Sequence, residues 1–218
     1  MPEALLFDLD GTFADTAPDL GGALNSLRRE LGLAPMPLNE LRPYVSQCAR
    51  GMVRVGLDLD ADASDFPHFQ QRFLHFYAQS LCDGTTLFPG IAELIDRLEY
   101  AGIAWGIVTN KSQRFALPLM EQLGYVRRAA CIVCGDSAPR AKPHAHPMLL
   151  ACALAECNPG ATLYAGDDIR DIAAGRSAGM RTIAARYGYL GDNDDITGWG
   201  ADHLVDHPEE IAGIAGLA

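Results

Sequence analysis

Two aspartates one residue apart close the first apolar run of the chain: Ala4-Leu5-Leu6-Phe7 leads into Asp8-Leu9-Asp10-Gly11-Thr12. An apolar run without polar alternation predicts a strand buried on both faces of a parallel sheet. The carboxyl end of such a strand opens on a ligand crevice. Side chains alternate along a strand, so Asp8 and Asp10 project to one side while Leu9 points away. Like charges that converge so closely call for a cation, and a hard divalent ion such as Mg2+ matches oxygen ligands. Gly11 permits a tight turn, and Thr12 offers a hydroxyl and a backbone N–H to an anion. An isolated Asp-x-Asp reads equally well as an acidic, solvated turn.

The full string Asp8-Leu9-Asp10-Gly11-Thr12 behind an apolar run is less common, and it resembles the opening motif of the haloacid dehalogenase-like phosphatases. That resemblance implies that Asp8 is a nucleophile and Asp10 an acid/base. It also implies three further motifs in order, each at the carboxyl end of a strand, and the sequence contains all three. A strand predicted over Ile103 to Val108 stops at Thr109-Asn110-Lys111, where a hydroxyl and an amide suit phosphoryl oxygens. Taken alone, Thr109 and Asn110 would serve as well in a helix cap. Lys142, fixed by the following Pro143, can neutralise both a nucleophilic carboxylate and a phosphoryl group; alone it would be a surface lysine in a proline-rich loop. A strand over Thr162 to Ala165 ends in Gly166-Asp167-Asp168-Ile169-Arg170-Asp171. Asp167 is the expected metal ligand, and Asp171, a helical turn on, holds metal-bound water or orients Lys142. Asp168 suits a helix cap, as does Asp167 taken alone. The expected Mg2+ site is thus Asp8, Asp167 and the backbone carbonyl of Asp10.

Strands and helices alternate, which predicts an α/β, doubly wound, Rossmann-like parallel sheet whose strand ends bring the four motifs to one edge. One block interrupts the alternation. Residues 16–86 read as a small helical cap inserted after the first strand, and residues 1–15 and 87–218 as the catalytic core. The cap carries Leu20, Leu24, Leu27 and Leu31 on one stripe, then helical stretches over Leu38 to Val45, Arg50 to Leu57 and Phe66 to Leu81. Within it, Val45-Ser46-Gln47-Cys48-Ala49-Arg50-Gly51 gathers a hydroxyl, an amide and a guanidinium, so Arg50 is a candidate for binding a carboxylate or a sugar phosphate. A further helix uses Ala116, Leu119, Met120 and Leu123, and Pro118 is expected in its first turn.

Composition bounds the partners. The 218 residues are 49% hydrophobic and 21% charged, which excludes disorder, and no apolar run reaches the roughly 18 residues of a membrane span. A net charge of −11 argues against nucleic acid or an anionic membrane as the main partner. The start Met1-Pro2-Glu3 lacks a basic segment and the chain is expected in the cytoplasm. Only two of the 17 basic residues are lysines, Lys111 and Lys142, and both fall in strand-end loops. Cys131 and Cys134 flank a predicted strand on opposite faces and read as buried thiols, and His144 and His146 as solvated loop histidines. No feature specifies an oligomeric state.

Asp15-Thr16 with Phe88-Pro89-Gly90 resembles the phosphoglycolate phosphatase group within that superfamily. More narrowly, Val45-Ser46, Ala49-Arg50, Val108-Thr109-Asn110-Lys111, Arg114-Phe115-Ala116, Arg186-Tyr187-Gly188-Tyr189 and Trp199-Gly200-Ala201-Asp202 are similar to N-acetylmuramic acid 6-phosphate phosphatases. The resemblance implies Mg2+-dependent hydrolysis of a small phosphomonoester through an aspartyl phosphate on Asp8, with 2-phosphoglycolate as the first substrate and N-acetylmuramic acid 6-phosphate as the alternative. Phe13 stands where leucine is usual. A phosphoglucomutase-like transferase and a phosphoacceptor signalling domain use similar residues and are the more remote alternatives.

Overall fold

The computed structural model describes residues 1–191 and 195–217. Six strands form one parallel sheet: β1 (Ala4–Phe7), β4 (Ala104–Val108), β5 (Cys131–Val133), β6 (Thr162–Gly166), β7 (Arg181–Ala185) and β8 (His203–Val205), ordered β5-β4-β1-β6-β7-β8. β1 lies between β4 and β6, with Phe7 opposite Ile107 on one side and Ala165 on the other. The chain winds outward from β1 in both directions, and the point of reversal is where an open sheet leaves a crevice. Asp8 stands there.

Every residue of β1 is fully buried because both faces of the sheet are covered. Leu5 and Phe7 face a cluster with α5 (Ile91–Tyr100), α6 (Gln113–Gln122) and α9 (Pro208–Ile214), whereas Leu6 faces the opposite cluster with α7 (His146–Leu154) and α8 (Ile169–Ser177). Cys131 and Cys134 likewise fall on opposite faces, both buried and free. In α6 the sequence expectation needs correcting. Pro118 is the sixth residue of that helix rather than part of its first turn. Its missing N–H leaves the carbonyl of exposed Arg114 without its helical partner, and the buried flank of Phe115, Ala116, Leu119 and Met120 holds the helix through it.

After β1 the chain forms a short β2 (Ala14–Asp15), which pairs antiparallel with β3 (Thr86–Leu87). Between these two strands run four helices: α1 (Ala17–Glu30), α2 (Leu38–Leu41), α3 (Cys48–Leu57) and α4 (Phe66–Gln79). A 3-10 turn over Arg42–Gln47 replaces the rest of the helix expected to reach Val45. Leu20, Leu24 and Leu27 of α1 pack with Met52 and Val53 of α3 and Phe73 and Tyr77 of α4, in one apolar cluster continuous with the core. The buried Asp19 carboxylate accepts hydrogen bonds from Gly84 N (2.8 Å), Thr85 N (2.8 Å) and Thr85 Oγ1 (2.6 Å), tying the outgoing helix to the returning strand. Among the described residues no helix is long and apolar enough to cross a membrane.

Phe13 closes the core beneath the site, stacked on Trp105 with ring centroids 5.6 Å apart and edge-on to Phe7 and Tyr125. Phe13→Ala should therefore lower the unfolding free energy by about 3–5 kcal/mol, and Phe13→Leu by clearly less, as urea denaturation will measure.

Candidate active site

The two aspartates of β1 arrive with their backbone fixed by the sheet: Asp8 N donates to Ala165 O at 2.8 Å, and Leu9 N donates to Asp8 Oδ1 at 2.7 Å. Gly11 follows at φ +88°, and a Cβ there would stand 2.1 Å from Asp167 Oδ2. A Cβ on Gly188 would meet Asp167 Cβ at 2.3 Å. Two missing side chains thus make room for the Asp167 carboxylate beside β1.

Asp167 directly follows β6 and accepts hydrogen bonds from Thr12 Oγ1 (2.9 Å), Ser46 Oγ (2.8 Å) and Tyr189 N (2.9 Å). Asp171, one turn into α8, accepts from Asp168 N while the Asp168 side chain accepts from Arg170 N, a reciprocal cap that pins the start of the helix. Asp8, Asp167 and Asp171 bring carboxylate oxygens within 4.8 Å of one another. Lys142 stands between two of them, its Nζ 2.6 Å from Asp171 Oδ1 and 2.8 Å from Asp8 Oδ1, and it also donates to Val108 O and Tyr164 Oη. Asn110 is occupied differently from the sequence expectation. Its amide brackets the backbone of Lys142, donating to Lys142 O (3.1 Å) and accepting from Lys142 N (3.0 Å), so it positions the lysine rather than offering both polar atoms to a ligand. Thr109 Oγ1 accepts from Lys111 N and the residue lines the pocket.

Asp10 has its own cation: Oδ1 accepts from Thr16 Oγ1 and from Lys111 Nζ at 2.6 Å. Sequence reasoning noticed where Lys111 falls without assigning it a partner. Arg170, Ser46, Tyr164 and Tyr189 were not assigned to the site either. Arg170 pairs with Asp168 and donates through Nη2 to Ser46 O at 2.6 Å, so the inserted segment is held against the core on both sides of Ser46. Arg50 does not enter. α3 buries Gly51, Met52, Val53 and Gly56, and this turns Arg50 to solvent, where it stands 3.6 Å from Asp62. The guanidinium that lines the pocket is that of Arg170.

Four buried carboxylates, Asp8, Asp10, Asp167 and Asp171, face two buried ammonium groups, Lys111 and Lys142. This imbalance shows in the titration of the acids. Burial, then the neighbouring Asp171 charge, lifts Asp8 well above the ordinary carboxylate range against the pull of Lys142. The same two causes push Asp167 up to about 7. Burial lowers Lys142, but Asp171 and Asp8 outweigh it and hold the ammonium above its ordinary value. An all-oxygen cluster with two uncompensated negative charges fits a hard divalent cation. The narrow pocket above it is lined by Asp8, Asp10, Ser46, Thr109, Lys142 and Arg170 among others, a setting in which one carboxylate faces a second carboxylate and fixed positive charge.

Residues 5–185 match the family model described as haloacid dehalogenase-like hydrolase. The chain is 43% identical over 209 residues to the N-acetylmuramic acid 6-phosphate phosphatase of Pseudomonas aeruginosa, covering 96% of this chain and 92% of that one. It is 42% identical over 214 residues to the phosphoglycolate phosphatase of Xanthomonas campestris pv. campestris strain 8004, covering 96% and 95%. A crystal structure of a predicted phosphoglycolate phosphatase from Haemophilus somnus 129pt superposes with a TM-score of 0.85 at 27% identity, covering 98% of this chain and 97% of that one. With its β1 aspartates, its buried lysine and the paired acids after β6 in that arrangement, the chain belongs to the haloacid dehalogenase-like hydrolase family.

Proposed function

We propose that this protein is a Mg2+-dependent phosphatase of small phosphomonoesters that works through an aspartyl phosphate on Asp8. The observation that carries the reading is the pairing of two chemically separate carboxylates on one pocket: Asp8 held by Lys142, and Asp10 held by Lys111 and Thr16.

Lys142 Nζ and Leu9 N both engage Asp8 Oδ1, so Oδ2 is the oxygen offered to phosphorus. As Asp8 Oδ2 forms its bond to phosphorus, the ester P–O bond breaks and Asp10 protonates the departing alkoxide. Asp10 then takes a proton from water as that water attacks phosphorus, and the Asp8–phosphorus bond breaks to release inorganic phosphate. Lys142 and Thr109 stabilise the equatorial oxygens in both halves. Asp8 and Asp167 would hold Mg2+, with Asp171 fixing Lys142 beside them; when bound, the ion neutralises the excess carboxylate charge and the phosphoryl oxygens. Residues 16–86 act as a cap over a core of residues 1–15 and 87–218, excluding bulk water through the contacts of Ser46 with Asp167 and Arg170. Six free cysteines suit a reducing, cytoplasmic setting.

Two substrates follow from the relatives' names, 2-phosphoglycolate and N-acetylmuramic acid 6-phosphate. The larger ester is favoured by one feature of this chain, a mostly apolar chamber of about 180 Å³ that adjoins the catalytic pocket and shares Asp10, Cys48 and Asn110 with it. A two-carbon acid leaves most of that space unfilled.

Phosphate release from p-nitrophenyl phosphate, 2-phosphoglycolate and N-acetylmuramic acid 6-phosphate tests the reaction and ranks the substrates. Asp8→Asn should abolish turnover, and Asp10→Asn should lower kcat by about 10²- to 10⁴-fold. Turnover surviving in Asp8→Asn would remove the aspartyl phosphate from the mechanism.

The cation gives a second test. Asp167 has a folded-state value raised from 3.8 to about 7, so the folded protein binds the extra proton in between. Its contribution favours folding at low pH and is lost as pH rises through that window; the raised Asp8 acts with the same sign. Without divalent cation, Tm should therefore fall as pH rises from about 4 towards 7. Added Mg2+ should raise Tm more at pH 7.5 than at pH 5.5, and Asp167→Asn should flatten both responses, as thermal unfolding across pH will show.

A further inference from the structure

The chamber beside the catalytic pocket lies between the inserted helices and the core, walled by Leu20, Val45, Phe73, Tyr77 and Phe115 among others. Two polar residues, Tyr77 and Lys111, interrupt this apolar lining side by side. Tyr77 is only 1% exposed, and among the described residues its hydroxyl has no hydrogen-bond partner. An unpartnered buried hydroxyl is costly, so a folded protein keeps one where a ligand completes it. Lys111, also buried, spends one donor on Asp10 and stands with Nζ 5.0 Å from the centre of the Tyr77 ring. An ammonium has three donors. Burial pushes the Tyr77 phenol up to about 12 against the pull of the Lys111 ammonium acting on its oxygen, so near neutral pH its O–H keeps its proton to donate.

We propose that Tyr77 Oη and Lys111 Nζ form a subsite for a carboxylate on the leaving group, set in an apolar chamber that takes the hydrocarbon part of the same group. This rests on the phosphatase reading above and adds the feature that selects the alcohol. A carboxylate accepts from both donors at once, and its oxygens gain a charge-assisted bond in surroundings where water does not compete. It replaces the role expected of Arg50, which the fold turns away. Neutral alcohols of the same size leave the Tyr77 O–H without an acceptor, and rejection by an unpaired buried donor is the stronger form of discrimination. Phosphoryl recognition stays with Lys142 and Thr109, so the two ends of the substrate are read by different lysines, both from strand-end loops.

The test separates binding from chemistry. In the Asp8→Asn protein, equilibrium titration compares N-acetylmuramic acid 6-phosphate with N-acetylglucosamine 6-phosphate, which lacks the carboxylate-bearing ether. The carboxylate ester should bind about 10- to 100-fold more tightly. Adding Tyr77→Phe should erase most of that preference while the ligand-free protein keeps its cooperative thermal unfolding. Lys111→Gln should also erase the preference. Equal affinity for the two esters, or a preference that survives Tyr77→Phe, would overturn the subsite. If the wild-type enzyme releases phosphate from no ester, the reaction assignment fails, and the titration still decides the subsite.

Discussion

Repulsion among buried carboxylates is the constraint around which the molecule is built. Asp8, Asp10, Asp167 and Asp171 meet at the carboxyl ends of two neighbouring parallel strands, where burial and mutual charge would drive them apart or protonate them. Three devices hold them in place. β1 and β6 are locked by the sheet ladder. Gly11 and Gly188 leave the space that Asp167 fills, and each acid has its own donors: Lys142 for Asp8 and Asp171, Lys111 and Thr16 for Asp10, and Thr12, Ser46 and Tyr189 N for Asp167. The two negative charges left over are what fit the cluster to a hard divalent cation.

Because the donors come from distant parts of the chain, the site also couples the inserted helices to the core. Ser46 belongs to the insertion yet hydrogen-bonds Asp167 of the core, and Arg170 of the core donates to the Ser46 carbonyl. Tyr189 binds Asp167 through its backbone N–H and Asp15 through its hydroxyl, while Arg42 of the insertion pairs with Asp15 and lies over the Tyr189 ring. The end of β2, the carboxylate cluster and the inner wall of the insertion therefore share hydrogen-bond partners.

Much of this was legible in residue order. The apolar run before Asp8 specified a buried strand, and alternation along it put Asp8 and Asp10 on one pocket. The order of Thr109-Asn110, Lys142 and Asp167 to Asp171 after successive strands placed them on one edge of the sheet, since parallel strands with right-handed crossovers direct their carboxyl ends alike. What misled was local. Arg50 looked like a ligand because of its neighbours in sequence, but the buried stripe of α3 decides its direction, and only packing selects that stripe. Pro118 looked like a first-turn residue because proline inside a helix is unfavourable, yet core packing carries α6 past it.

The sequence by itself thus determined at which edge of which fold Asp8, Asp10, Thr109, Lys142 and Asp167 stand, because strand periodicity and right-handed crossovers leave few alternatives. Only the tertiary structure decided how those groups are paired: Asn110 to the backbone of Lys142, Lys111 to Asp10 and beside Tyr77, and Ser46 to Asp167. These pairings span tens to more than a hundred residues. They depend on where folding brings unlike segments within hydrogen-bond reach and which of them it removes from water, and no local pattern encodes either.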